Sequence, residues 1–493
     1  MLEDTIAAIA TPLGEGGLAL IRVSGAKAPA IADRIFLPAG KRSQKPSTAP
    51  THTIHYGKII RHNDNQSPAP PADGPATGRA FEVIDEVLLA VLRAPRTFTG
   101  EETIEISCHG GLLPAKLVLD AVLANGARLA EPGEFTRRAF LNGRLDLAQA
   151  EAVADLIHSR TEVALAAANE QLAGKLSRRI NRLRDDLLHT LARVEAHIDF
   201  PEEDLAPDTQ EQLLSRLESA LASMDELLRT ANEGRILRRG VRAAIVGRPN
   251  AGKSSLLNQL LGRDRAIVSP IPGTTRDTIE ETANMRGIPV VFIDTAGLRE
   301  ARDEIEEEGV RRSRLSLAQA ELLLHVLDAS EPLTAADANH LAEFAGKQRI
   351  LVRNKVDLPV KLELPPEHAC PPRREAIRAS PATGPEFGAS VVDVCCLNGE
   401  GIEKLKDAIK DRVWSGAIEA GMLEVMINSR HQDALNRARE AARRTIDALR
   451  GDAALELVAL DLRIAVNAVG EIVGQTATED LLDSIFSQFC IGK

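Results

Sequence analysis

The chain has 493 residues, 44% hydrophobic but only 3% aromatic, with a formal net charge of -11. That length exceeds one ordinary core and implies roughly two to four domains packed by aliphatic side chains. The acidic balance excludes a protein that coats nucleic acid through its overall field, so any RNA contact must be regional. Cys108, Cys370, Cys395, Cys396 and Cys490 show neither C-x-x-C nor zinc-like spacing, which points to a reducing compartment. Glu3 and Asp4 stand where a signal peptide would be basic, and no apolar run reaches the roughly 18 residues of a membrane span, so a cytoplasmic protein with no membrane partner is expected.

Residues 1–144 mix short apolar runs such as "LALIRVSG" with turn residues and predict a small α+β domain, interrupted by a Pro, Ala and Asp rich loop at 62–79. From 145 to 238 apolar residues recur at helical spacing, predicting the first half of an all-α domain. Residues 239–416 alternate strand-like runs ("VRAAIVG", "IPVVFID", "ELLLHVLD", "RILVRN") with helices, the pattern of a parallel sheet with crossovers. The helical style returns over 417–493. An α/β domain inserted into a helical host explains this order, because insertion is tolerated where a host chain leaves and re-enters at one place.

"GRPNAGKS", Gly247 to Ser254, fits the phosphate loop and follows a strand and precedes a helix, as its mechanism requires. Its glycines let backbone N–H groups curl around phosphate, Lys253 reaches the terminal phosphates and Ser254 can ligate Mg²⁺. "DTAG", Asp294, Thr295, Ala296 and Gly297, follows the strand "VVFI" and brings a carboxylate to the metal side. "NKVD" follows "RILVR", and within it Asn354, Lys355 and Asp357 select guanine, since a carboxylate accepts from both donors of that edge. Leu298 stands where a switch GTPase of the Ras type carries a water-orienting Gln. Something else must orient the water, and one source is the acidic stretch of Asp303, Glu304, Glu306, Glu307 and Glu308, most of which would form a solvated face. "SPIPGTTRD" adds Ser269, Pro270, Ile271, Pro272, Gly273, Thr274 and Thr275, with Thr275 suited to Mg²⁺. Asn250, Ala251, Gly252 and Ser255 complete the GTP-binding set. Charge at the transition state can be met by a monovalent cation held on neutral oxygens, or by an arginine in trans or one of Arg276, Arg299 and Arg302.

Nearly end to end, the chain resembles the MnmE (TrmE) family of tRNA-modifying GTPases. The likeness runs through "ATPLGEGGLALIRVSG", "PGEFTRRAFLNGRLDLAQAEAVADLI", the GTPase motifs and the closing "FCIGK". The resemblance implies a folate-binding N-terminal domain that dimerises, an all-α helical domain built from both sides of the insertion, and an inserted P-loop GTPase (Ras-like) α/β domain activated by K⁺. It implies K⁺ ligands at Asn250, Ser269, Ile271 and Thr274, the middle two through backbone carbonyls, and Mg²⁺ on Ser254 and Thr275. The catalytic acid falls on Glu306, acting through a bridging water. Folate contacts map onto Arg22, Glu105, Arg144 and Lys493, with the carboxylate suited to the pterin and the cations to the glutamate tail. Cys490 would lie beside the one-carbon unit, as a nucleophile or as a small buried residue. The implied reaction adds an aminomethyl or carboxymethylaminomethyl group to C5 of the wobble uridine (position 34) of certain tRNAs, with carbon from a tetrahydrofolate derivative (5,10-methylene or 5-formyl). It runs in a heterotetramer with the flavin- and NADH-binding partner MnmG (GidA). Two departures stand out: Cys395-Cys396 replaces a Ser-Ala pair, so a serine-dependent guanine contact is expected to be lost, and an inserted loop precedes it. A regulatory or ribosome-assembly GTPase that binds RNA as a switch would share the nucleotide motifs but need neither a folate pocket nor a functional C-terminus.

Overall fold

The computed structural model describes residues 4–40, 44–62, 81–199, 210–262, 280–293, 318–365, 390–414, 426–451 and 453–493. By packing, the chain divides into residues 1–154 with 470–493, and residues 155–469.

The first unit is built on a seven-stranded sheet of β1 (Ile6–Ile9), β2 (Leu18–Ser24), β3 (Phe36–Pro38), β4 (Thr53–His62), β5 (Phe81–Leu92), β6 (Thr103–His109) and β7 (Arg128–Leu129). Its order is β3-β4-β5-β6-β2-β1-β7. Period-2 alternation sets the faces: Ile21 and Val23 of β2 and Ile104, Ile106 and Cys108 of β6 point into one core. Helices Ala28–Ile35 and Leu112–Ala124 supply the other side of that core. Arg22 and Glu105 fall between the inward positions and are direct antiparallel partners, so they share the opposite face.

Residues 470–493 pack in one unit with residues 1–154. The cause is apolar. Leu482, Ile485 and Phe486 of helix Glu479–Phe486, together with Phe489, bury against Leu147 and Ala150. Arg137 then bridges Glu479 at 2.7 Å and Asp483 at 2.8 Å at the rim.

In the second unit, helix Lys175–Asp199 buries Leu176, Ile180, Leu183, Leu187, Leu191 and Val194, the i+3/i+4 stripe of an amphipathic helix. Helix Ser429–Arg450, from beyond the α/β region, lies along helix Gln210–Arg229 from before it. Arg439 pairs with Asp225 at 3.1 Å and Arg450 with Glu218 at 2.8 Å. Gly234, in helix Ala231–Arg239, has no room for a Cβ because the Ile427 carbonyl lies against it. The outgoing and returning strands of chain therefore touch where the α/β region begins and ends.

That region holds a six-stranded sheet of order β13-β12-β11-β8-β10-β9, from β8 (Val241–Val246), β9 (Glu281–Met285), β10 (Ile288–Phe292), β11 (Leu322–Asp328), β12 (Arg349–Asn354) and β13 (Ser390–Val394). Only β9 runs antiparallel to its neighbour. Every residue of β11 is buried, as expected of a central parallel strand covered on both faces. Among the described residues no helix is long and apolar enough to cross a membrane.

Candidate functional site

The phosphate loop follows directly from strand β8. Gly247 (φ +144) lies so close to the Val326 carbonyl that no side chain fits, Asn250 takes a left-handed conformation (φ +64), and Gly252 (φ +98) is pressed against the Asn354 amide. Those turns deliver the chain into helix Lys253–Leu261, whose Leu256, Leu257 and Leu260 are buried in the sheet core. The result is a cradle of N–H groups at a helix N-terminus, anchored from behind. Lys253 is half-buried: desolvation pushes its ammonium below the ordinary lysine range, and Nζ donates to the Arg248 carbonyl at 2.9 Å. A phosphate would replace that weak neutral acceptor with a charged one.

The base side is tied to the same loop. Asn354 Nδ2 donates to the Ala251 carbonyl at 2.9 Å, while its Oδ1 accepts from the Cys396 N–H at 3.2 Å. Gln259, one turn from the end of the phosphate-loop helix, donates to the Cys396 carbonyl at 2.8 Å. Lys355 (φ +66) donates to Asp328 at 2.6 Å. Burial pushes the Asp328 carboxyl up, but hydrogen bonds from Lys355 and Ser330 outweigh it and hold it below the usual carboxylate range. Asp357 accepts from the Cys395 thiol at 3.1 Å. Gln259 and Asp328 were not singled out in the sequence; neither lies in a phosphate or base motif.

Ser269 through Thr275, Asp294 through Gly297, Leu298 and Glu306 lie outside the described residues, as do residues 63–79 of the loop expected at 62–79, whose first residue, His62, ends β4, and most of the inserted stretch before Cys395.

In the N-terminal unit, Arg22 Nε meets Glu105 Oε1 at 2.8 Å. Its guanidinium also lies 5.7 Å from the ring centres of both Phe98 and Phe135, within cation–π range of each. Phe135 is the second residue of helix Glu134–Leu141, and its N–H donates to the Lys493 carbonyl at 3.2 Å. The Gly133 N–H reaches the Cys490 carbonyl at 3.4 Å. Gly492 (φ +95) lets the tail lie on β1, since a Cβ there would stand 2.6 Å from the Ile9 carbonyl oxygen. Arg22, Glu105 and the Lys493 backbone thus converge, whereas Arg144 is exposed, its N–H donating to the Ala139 carbonyl at 2.9 Å. Cys490 is exposed rather than a small buried residue. The two phenylalanines escaped sequence reading because nothing local marks an aromatic as facing a distant arginine.

Under this group lies a buried charge network. Arg138, fully buried, meets Asp4 at 2.8 Å, Glu134 at 2.9 Å and Glu101 at 3.3 Å. Burial alone would push the Glu134 carboxyl up, but Arg128, the Glu131 N–H and Arg138 hold it down.

The fold and the loop define a phosphate-loop nucleotide-binding domain carried within a helical chain that also has its own N-terminal sheet domain. Residues 147–490 match the family profile described as MnmE helical domain, and residues 5–144 the one described as GTP-binding protein TrmE N-terminus. The chain is 46% identical over 492 residues to the tRNA modification GTPase MnmE of Geobacillus kaustophilus, covering 99% of both chains. It is 47% identical over 494 residues to that of Chloroflexus aurantiacus, covering 100% of both, and 44% identical over 491 residues to that of Bacillus subtilis, covering 99% of this chain and 100% of that one. The chain belongs to the MnmE family.

Proposed function

We propose that this chain hydrolyses GTP and couples hydrolysis to folate-dependent modification of the wobble uridine of certain tRNAs, as a cytoplasmic homodimer working with MnmG (GidA). The observation that carries this reading is the contact at Lys493: its main-chain oxygen accepts from the Phe135 N–H, and the Phe135 ring lies on an arginine paired with Glu105. A GTPase acting only as an RNA-binding switch has no use for such a construction.

The paired Arg22 and Glu105 must meet one end of a folate, because the ligand's aromatic spacer separates pterin from glutamate tail. Glu105 then accepts from the pterin's paired N–H donors with Arg22 beside it, and the glutamate carboxylates fall to Lys493 or Arg144. When bound, the reduced folate supplies the one-carbon unit; Cys490, exposed at the tail, is the chain's own nucleophile near it. At the nucleotide, Ser254 and Thr275 would hold Mg²⁺, and Asn250, Ser269, Ile271 and Thr274 would hold K⁺, which together supply positive charge at the terminal phosphates. Lys253 leaves the Arg248 carbonyl for phosphate, and Glu306 orients the attacking water in place of the Gln that Leu298 displaces.

The test is equilibrium binding of 5-formyltetrahydrofolate to the full chain and to a chain ending at Phe489. Binding to the first and loss in the second is expected; no binding to the full chain would return the protein to the switch class. Turnover in K⁺ should exceed that in Na⁺ at equal ionic strength, and parity would remove the potassium assignment.

A further inference from the structure

We propose that Arg248 is a positioning residue for nucleotide binding: its side chain, anchored on acidic groups beyond β11, fixes the main-chain turn from which Lys253 meets the terminal phosphates. The proposal rests on Lys253 being the phosphate contact. Position 248 is one that the phosphate-loop pattern leaves open, so nothing in the motif itself asks for an arginine there. The fold supplies the reason.

Arg248 is attached twice. Through its main chain it serves the loop, since its carbonyl accepts from Lys253 Nζ at 2.9 Å and from the Ala251 N–H at 3.4 Å. Its side chain leaves the loop altogether. The guanidinium donates to Glu331, in the turn after β11, and its Nε stands 3.6 Å from Asp337 Oδ2 in helix Ala335–Glu343. Asp337 explains why a cation is wanted. Its side chain is 2% exposed; Oδ2 accepts from the Thr334 N–H at 3.2 Å and hydroxyl at 2.7 Å as part of the helix cap, while Oδ1 is buried with no hydrogen-bond partner. A carboxylate half satisfied in this way needs positive charge beside it, because burial penalises an uncompensated ion. Arg248, its side chain only 18% exposed, supplies that charge. The pair is an anchor rather than a loose surface contact. The same turn also holds the base side, where Asp328 accepts from Lys355 at 2.6 Å. One acidic turn thus braces both halves of the nucleotide site. Set beforehand, the loop does not have to be ordered by the incoming phosphate, and that part of the binding energy is kept.

The experiment measures dissociation constants for GDP and for GMP, which lacks the phosphate that Lys253 serves, with the full chain and its variants. Arg248→Met should weaken GDP by about tenfold and GMP by less than about twofold, the signature of a slightly misplaced Lys253. Equal losses for both nucleotides would mark a merely structural arginine and overturn the proposal, as would no loss. Asp337→Asn gives the sharper sign. Charge repulsion alone makes removal of a carboxylate near a phosphate site tighten GDP, whereas the anchor requires a loss of about fivefold, so tighter GDP overturns it. Glu331→Gln, at a side chain 56% exposed, should move GDP in the same direction by a smaller factor, and it decides alone if the other variants do not fold. Arg248→Met combined with Asp337→Asn should bind GDP no more weakly than Arg248→Met; added losses would put the guanidinium on the phosphate itself and refute the anchor. Lys253→Ala tests the layer beneath: loss of the preference for GDP over GMP upholds the phosphate contact, and a retained preference refutes that contact and with it the role of Arg248.

Discussion

Gly252 and Gly492 perform the same task at two sites that are put together in opposite ways. Both hold a left-handed backbone, φ +98 and φ +95, and both are pressed against a neighbour that a methyl group would strike. Gly252 closes on Asn354, within a domain whose strand, loop and helix are consecutive in the chain. Gly492 closes on Ile9, joining the last residues of the chain to the first strand. The nucleotide loop is thus shaped within one domain, closing on Val326 and Asn354 of its own sheet, and the N-terminal group by the meeting of residues 9, 22, 105, 135 and 493. A local loop keeps its form as long as its own domain is folded; an assembled site depends on every partner that brings it together.

The largest test of that contrast removes a partner. Arg138→Met leaves Glu134, Glu101 and Asp4 without their shared buried cation and should cost the N-terminal unit about 3 to 5 kcal/mol. Chemical denaturation followed by circular dichroism should register it. Fluorescence of the lone Trp414, buried beside the nucleotide domain, should keep its midpoint; a shift of both would mean the two regions unfold as one. Next, Gly252→Ala forces strain on the loop and displaces the Asn354 amide, and should weaken GDP roughly thirtyfold or more with folate binding unchanged. Its mirror, Gly492→Ala, should weaken 5-formyltetrahydrofolate by about tenfold with GDP affinity unchanged, from the cost of a left-handed alanine. If either variant damaged both ligands, the separation of the two sites would fail.

The smallest expected effect is in acid. Asp4 and Glu134 are held below the ordinary values of 3.8 and 4.5; burial opposes this, and Arg128 and Arg138 outweigh it. Groups lowered on folding lend stability that is complete above those ordinary values and lost as pH falls through the folded ones. Thermal midpoints of the N-terminal unit should therefore fall progressively below about pH 4.5, and Arg138→Met should flatten that dependence. An acid slope undiminished in the variant would locate the titration elsewhere.

How much of this was legible depended on distance along the chain. The phosphate loop and Asn354 could be read directly, because a strand, three turns and a helix N-terminus are dictated by adjacent residues. The family resemblance named Arg22 and Glu105 but could not tell that they face each other, which is a matter of β2–β6 register. Phe98 and Phe135 were not legible, since an aromatic ring becomes a cation's partner only through the fold. The substitution at Cys395 was visible in the sequence, but that its sulfur meets Asp357 at 3.1 Å was not, because the two residues are joined only by the fold.

By itself the sequence determined that a nucleotide domain sits inside a helical chain, because backbone conformation and apolar periodicity are set within a few residues. Tertiary structure alone decided that the closing glycine lies on the first strand and that Arg22 is held by two rings and a carboxylate. Cross-strand register and the docking of a terminus depend on burial shared between distant segments, and no local pattern encodes it.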